Sequence, residues 1–117
     1  MQSRVLIIDE NLVFLNGLKK FLLENHNNLH IHYSTTLSSL DELLSGFLPD
    51  KIIVDLKLIA KTSEENISLL FSQPQKLIFL TTFENETYPH LQKKYGDIPI
   101  FCKTTSIVQL KKTLLNS

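Results

Sequence analysis

Four short and almost unbroken apolar runs constrain the fold of this chain more than any other feature of its sequence. Each run has only three to five residues, which is too short for a buried helix, and three of the four are rich in β-branched residues. Runs of this kind are typical of strands that are buried on both faces of a parallel sheet. They lie at residues 5–8, 52–54, 77–80 and 98–102.

A fifth run differs in the order of its apolar and polar side chains. Residues 29–33 read Leu-His-Ile-His-Tyr, so that apolar and polar side chains alternate. Alternation with a period of two predicts a strand with one face in water, as at the edge of a sheet. His30 and His32 are therefore interpreted as edge residues, and no histidine in the chain has the spacing of a metal ligand relative to a cysteine.

Helical periodicity fills the intervals that follow these runs. Five amphipathic segments are predicted, with apolar residues three or four positions apart. They cover residues 12–22, 40–47, 67–71, 88–95 and 107–114.

Capping signals support three of the helix starts. Ser39 with Glu42, and Thr62 with Glu65, have the spacing of a capping box, and Ser106 precedes the last helix.

The resulting order is a strand followed by a helix, repeated five times with one unit per roughly 23 residues. A closed barrel of this type needs eight strands and is excluded by length. The sequence therefore predicts an α/β fold, a flavodoxin-like, doubly wound (βα)5 three-layer sandwich with a parallel sheet of order 2-1-3-4-5. No repeat or linker interrupts it, so residues 1–117 are expected to form one domain.

Composition excludes several classes of function. Twelve Lys and Arg balance twelve Asp and Glu, so the chain carries no net charge with which to bind nucleic acid. The single cysteine, Cys102, rules out an intramolecular disulfide and an all-cysteine zinc site, and is expected to be a small buried residue. The apolar stretch near the N-terminus is too short for a signal peptide or a membrane span. We therefore expect a small cytoplasmic domain without a membrane partner.

Polar residues follow the predicted strands at the edge where such sheets bind ligands. Because strands one and three are neighbours, Asp9, Glu10 and Asp55 should converge, and three carboxylates repel one another unless a cation joins them. Oxygen ligands of this kind suit Mg²⁺. Thr81 and Lys103 should face the same cleft with donors for phosphoryl oxygens. Any one of these residues alone would be read as a solvated loop residue, and only their joint placement points to function.

These segments resemble the receiver domain of two-component response regulators from Arg4 to about Leu115. The similar stretches are VLIIDEN, PDKIIVDLKL, LIFLTTF and PIFCKT. The first helix, NLVFLNGLKKFLLEN, is most similar to the NarL/FixJ branch, which is LuxR-type and usually adds a C-terminal helix-turn-helix.

The resemblance implies a role for each residue at the strand ends. Asp55 would accept a phosphoryl group from a sensor histidine kinase, Thr81 would supply the switch hydroxyl and Lys103 would pair with the phosphoryl group. Asp9, Glu10, Asp55 and the backbone carbonyl of Lys57 would hold Mg²⁺ or Mn²⁺.

The same resemblance implies a regulator rather than an enzyme, one that assists its own phosphorylation and dephosphorylation. Phosphorylation would alter the face formed by residues 88–95, the fifth strand and the fifth helix. Receiver domains commonly dimerise, so the resemblance implies a homodimer as one possible assembly of this chain. DNA would be contacted only through a C-terminal helix-turn-helix, which this chain does not contain.

Three departures from the family pattern keep an alternative open. Residues 58–63 replace the usual Met-Pro-x-x-x-Gly stretch, Ile100 stands where an aromatic residue is common, and Thr82 stands where a small residue is usual. These departures favour a pseudo-receiver, an interaction module that is not phosphorylated. A flavin enzyme of the same fold is less consistent with the sequence, because the acidic residues after the first strand have the wrong charge for a phosphate.

Overall fold

A single sheet of five parallel strands organises the protein in the computed structural model, which describes residues 3–25, 28–82, 93 and 96–115. The strands are β1 (Ser3–Ile8), β2 (Leu29–Ser34), β3 (Lys51–Asp55), β4 (Leu77–Thr81) and β5 (Ile100–Cys102). Their order is β2-β1-β3-β4-β5 and every neighbouring pair is parallel. The predicted topology is confirmed.

Helices connect the strands and cover both faces of the sheet. Within the described ranges they are α1 (Leu12–Leu23), α2 (Leu40–Phe47), α3 (Leu56–Ala60), α4 (Glu64–Leu70) and α5 (Ile107–Leu115), with a 3₁₀ turn at Pro74–Lys76. The helix predicted at residues 88–95 lies outside the described residues except for residue 93.

The central strands are buried on both faces, as their unbroken apolar runs predict. Leu6 and Ile8 of β1 join a first apolar cluster with α2, α3 and α4, whereas Val5 and Ile7 join a second apolar cluster with α1 and α5. All four of these side chains are fully buried. Successive residues of a strand point to opposite faces, so one run serves two hydrophobic layers.

The alternating strand β2 lies at the edge of the sheet. Leu29 and Ile31 are buried, while His30 and His32 are exposed with their rings 5.3 Å from the ring of Phe47. The interpretation of these two histidines as edge residues is confirmed.

Two of the capping predictions were wrong in detail. Ser39 precedes α2 but makes no side-chain cap bond, because its φ and ψ of −112° and 30° are not the extended conformation that a cap requires. Ser63, not Thr62, caps α4 and accepts a hydrogen bond from the Asn66 amide at 3.2 Å. The Thr62 hydroxyl instead accepts a hydrogen bond from the Asn66 side chain.

Ser106 does precede α5, and its carbonyl accepts the first helical hydrogen bond, from the Leu110 amide.

The fifth strand is shorter than predicted. It begins at Ile100 rather than Ile98, because Pro99 has no N–H to donate to the sheet, although its carbonyl still accepts from the Phe79 amide at 2.8 Å. Ile98 nonetheless belongs to the first apolar cluster, and Cys102 is buried as predicted.

No helix in the described part of the chain combines the length and the hydropathy needed to cross a bilayer.

Candidate functional site

Two buried carboxylates lie at the edge of the sheet where β1 and β3 end. The register pairs Ile8 with Val54, so that the following residues of the two strands, Asp9 and Asp55, are brought side by side. Both residues are almost completely inaccessible to solvent, at 0% and 1% exposure. They border a cleft of about 530 Å³, which is lined by Asp9, Glu10, Asn11, Phe14, Asp55, Lys57, Thr82, Lys103 and Thr104.

Each of the two carboxylates is fixed by the backbone that follows it. The Asn11 amide donates to Asp9 Oδ1 and the Lys57 amide donates to Asp55 Oδ1, both at 2.9 Å. The bond to Asp55 also caps helix α3. One oxygen of each carboxylate is thus bonded to its own loop, and the Oδ2 atoms are directed elsewhere.

Lys103 joins the two free oxygens. Its amide donates to the Thr81 carbonyl at 2.9 Å, which extends the pairing of β5 with β4 and brings the side chain to the cleft. The ammonium lies 2.5 Å from Asp9 Oδ2 and donates to Asp55 Oδ2 at 2.7 Å. A cation from the chain itself therefore bridges the carboxylates.

Burial and pairing act on the pKa values of these groups in identifiable ways. Burial raises the pKa of Asp9 above its usual value, although the adjacent Lys103 ammonium and the hydrogen bond from the Asn11 amide lower it in part. For Lys103, burial lowers the pKa, but the hydrogen bonds and charges of Asp55 and Asp9 outweigh that effect, so its pKa is raised. Lys103 therefore stays protonated at neutral pH.

Glu10 does not join the buried pair. Its exposed carboxylate lies 3.4 Å from the Lys61 ammonium, on the rim of the same cleft. Lys61 is the C-cap of helix α3, so the helix that begins directly after Asp55 brings this lysine to the rim. The expected convergence thus holds for Asp9 and Asp55, whereas Glu10 is held at the edge.

The two threonines at the end of β4 differ in position. Thr81 is buried at 2% exposure and is the last residue of the strand. Thr82 is half-buried, and it is Thr82 that contributes to the lining of the cleft. Lys57 also lines the cleft and its side chain is exposed.

The donor set at this edge fits a hard divalent cation. Among the described residues, no group of three His, Cys, Asp or Glu side chains has the arrangement of a metal site. Mg²⁺, however, is usually held by only one or two carboxylates and keeps several waters. Asp9 Oδ2 is buried and makes no hydrogen bond of good geometry among the described residues, although Lys103 neutralises it. Its lone pairs are chemically suited to Mg²⁺ or Mn²⁺.

Four residues of the site were not identified from the sequence, and one of them, Thr104, lines the cleft. Asn11 caps α1 by accepting from the Phe14 amide, Lys61 pairs with Glu10, and the Phe14 ring centroid lies 4.7 Å from the Lys103 ammonium. Asn11 and Phe14 could have been found from their place in the first turn after the acidic pair. Lys61 carries no such signal, because its contact is with a residue 51 positions away.

Several solved structures of signal receiver domains and response regulators have the same architecture. The receiver domain of a DNA-binding response regulator protein from Colwellia psychrerythraea 34H has a TM-score of 0.77 and 21% identity, covering 98% of this chain and 97% of that one. The receiver domain of an HD domain-containing protein from Pseudomonas fluorescens Pf-5 has a TM-score of 0.75 and 19% identity, covering 98% and 85%. A LuxR-family two-component response regulator from Aurantimonas sp. SI85-9A1 has a TM-score of 0.75 and 13% identity, covering 99% and 84%.

These likenesses establish that the chain has the receiver fold. No family model matches the sequence, and no curated protein matches it either.

Proposed function

We propose that residues 1–117 form a response-regulator receiver domain that accepts a phosphoryl group on Asp55. One observation carries the proposal: two buried carboxylates, Asp9 and Asp55, share the ammonium of Lys103 at the carboxyl edge of a parallel sheet. Ligands of open α/β sheets bind at this edge, beside the point where the strand order reverses.

The chemistry is a phosphoryl transfer between two acceptor atoms. Asp55 Oδ2 forms a bond to phosphorus while the bond from phosphorus to the imidazole nitrogen of a kinase phosphohistidine breaks. The imidazole keeps the electron pair and takes a proton from solvent, and Asp55 becomes an acyl phosphate. The transition state is loose, so the protein contributes mainly position and charge. Water attack on the phosphorus later returns Asp55 to the carboxylate.

Each neighbouring residue has a role in this step. Lys103, already 2.7 Å from Asp55 Oδ2, neutralises one phosphoryl oxygen. The backbone bond from Lys57 fixes the orientation of the acceptor. Mg²⁺, held by Asp9, Asp55, the Lys57 carbonyl and Glu10 from the rim, would supply charge neutralisation at the phosphoryl oxygens.

Phosphorylation would also change the conformation of the domain outside the cleft. Thr81 would bond a third phosphoryl oxygen, and its movement would bias residues 88–95, β5 and α5. The partners are a sensor histidine kinase and, in some states, a second copy of the domain. DNA would be contacted only through a helix-turn-helix output domain, since the chain carries no net charge.

Radiolabelling with [³²P]acetyl phosphate and Mg²⁺ tests the proposal. The wild-type chain is expected to acquire label that is lost in hydroxylamine, as acyl phosphates are, and Asp55→Asn is expected to acquire none. Asp41→Asn is the matched control, because it removes one carboxylate from the exposed surface of α2 and should label like wild type. Equal labelling of Asp55→Asn and wild type would refute the assignment of Asp55.

A pseudo-receiver is the second candidate, and two contacts favour it. The Lys103 ammonium already lies against the Oδ2 atoms of both buried carboxylates, and Lys61 pairs with Glu10. Titration with Mg²⁺ followed by beryllofluoride, monitored by amide chemical shifts, separates the two functions. Shifts around Asp9 and Asp55 support the phosphoacceptor, and unchanged spectra in both steps support the interaction module.

A further inference from the structure

The ammonium of Lys103 has a third neighbour besides the two carboxylates. The Phe14 ring centroid lies 4.7 Å from Lys103 Nζ, within the range of a cation–π contact. Phe14 belongs to the first turn of α1, is half-buried and lines the cleft. The Phe14 ring therefore forms the part of the cleft wall that α1 contributes next to the Lys103 ammonium.

We propose that Phe14 is a positioning residue, which holds the Lys103 ammonium against Asp55 and limits the access of water to it. The proposal deepens the proposed function, because the group that Phe14 positions is the one assigned to neutralise the phosphoryl oxygen.

Counting donors supports this role. An ammonium has three N–H groups, and the two carboxylate oxygens can engage no more than two of them. At least one N–H is left to face another partner, and the ring of Phe14 offers its negative face at contact distance. Only 12% of the Lys103 side chain is exposed, so water cannot replace the ring freely.

The ring becomes more important once the acceptor is phosphorylated. An acyl phosphate no longer has the free Asp55 oxygen that now holds the ammonium, so Lys103 must move to a phosphoryl oxygen. A contact with Phe14 restricts that movement to a short arc over the ring. Positioning of this kind lowers the barrier without adding a charge to the site.

The same helix contains a matched control. Phe21 lies further along α1, its ring is 4.5 Å from the Lys111 ammonium, and it is also half-buried. Phe21→Leu thus removes a cation–π contact of similar geometry that does not touch the cleft. Phe14→Leu removes the ring from the site, whereas Phe14→Tyr keeps an aromatic face and is the conservative variant.

The test follows the side-chain ammonium of Lys103 directly, by ¹⁵N-detected NMR of the labelled protein. The Lys103 signal is assigned from its loss in Lys103→Arg. In Phe14→Leu, the exchange of the ammonium protons with water is expected to accelerate by roughly 3- to 10-fold. Phe14→Tyr and Phe21→Leu are expected to leave this exchange rate within a factor of two of wild type.

Labelling by acetyl phosphate gives a second readout. We expect the maximal labelling rate of Phe14→Leu to fall by roughly 3- to 10-fold, with half-saturation by the donor unchanged and recovery in Phe14→Tyr. If Phe14→Leu does not fold, Phe14→Met replaces it in both measurements.

Lys103 exchange that is the same in Phe14→Leu and Phe21→Leu would overturn the proposal. A wild-type chain that acquires no label would contradict the proposed function instead, and the Lys103 exchange rates would still decide the role of Phe14.

Discussion

At the scale of single residues, the site buries more negative charge than its own positive charge can neutralise. Two carboxylates that are almost fully buried have one ammonium between them, so the group carries an excess negative charge. The raised pKa of Asp9 reflects this arrangement, with burial as its largest cause. A site built in this way is poised to accept another cation, at some cost to the stability of the fold.

The pH dependence of stability tests that interpretation. A carboxyl whose pKa is higher in the folded than in the unfolded state destabilises the fold once it is ionised, so stability falls as pH rises through the folded-state pKa. Asp9→Asn removes this charge and keeps an acceptor for the Asn11 amide. We expect the variant to be more stable than wild type at pH 7 by about 1 kcal/mol, and the difference to shrink as pH falls towards the ordinary pKa of Asp.

Urea unfolding at several pH values without divalent metal measures the difference. Asp97→Asn is the control, because Asp97 is exposed and lies before β5, away from the cleft. A stabilisation of Asp9→Asn that is independent of pH would contradict the assignment of the raised pKa to this residue.

At the scale of secondary-structure elements, helix ends decide where the functional groups lie. Residues 58–63 lack the Pro and Gly of the usual receiver pattern, and in their place α3 begins directly after Asp55. Without a proline or glycine to interrupt it, the chain continues from strand to helix with the Asp55 carboxylate as the cap. The side chain proposed as the phosphoacceptor is therefore also the cap of α3.

The end of α2 contains a strained residue that offers a test of stability. Leu48 has φ of 52° and ψ of 62°, the left-handed conformation, and its side chain is 67% exposed. Leu48→Gly removes the steric strain and an exposed apolar side chain, and keeps the bond from the residue 48 amide to the Leu44 carbonyl. We expect it to raise the free energy of unfolding by roughly 0.5–1 kcal/mol in thermal or urea denaturation.

Val108→Gly is the control for Leu48→Gly, because it introduces a glycine where the backbone has an ordinary helical conformation. Val108 is 53% exposed in the first turn of α5, where a glycine should lower the free energy of unfolding by roughly 0.3–0.5 kcal/mol. Effects of the same sign for both substitutions would show that the conformation of Leu48 is not the source of the change.

At the scale of the whole molecule, α5 closes the fold by returning to the first helix. Leu110 and Leu114 enter the second apolar cluster with Leu15 and Leu22 of α1. The Lys111 ammonium also donates to the Phe21 carbonyl at 2.8 Å, near the end of α1. The last helix thus stabilises the apolar layer against which Phe14 packs.

Truncation of Leu110 measures this contribution. Leu110 is fully buried, so Leu110→Ala should lower the free energy of unfolding by roughly 2–5 kcal/mol. Val108→Ala, on the exposed side of the same helix, should change it by less than about 0.5 kcal/mol. Similar losses in the two variants would indicate that α5 is stabilised by its own helical propensity and not by packing.

Much of the architecture was predictable because it depends on patterns that repeat along the chain. Runs such as Val5–Ile8 specify a strand buried on both faces, and the alternation around His30 specifies an edge, whatever the rest of the molecule does. Details that depend on one dihedral angle were less predictable. The capping pattern at Ser39 was present, but the backbone there did not adopt the conformation that makes it a cap.

The sequence by itself determined the order of strands and helices, and hence that Asp9 and Asp55 follow neighbouring strands, because hydrophobic periodicity is local information. The sequence also predicted Lys103 at this cleft, but only the tertiary structure showed which ammonium groups pair with which carboxylates. Lys103 reaches both carboxylates, Lys61 draws Glu10 to the rim, and Phe14 lies against the Lys103 ammonium. These contacts join residues far apart in the chain, and their geometry follows from side-chain packing and charge across the cleft, which no local pattern encodes.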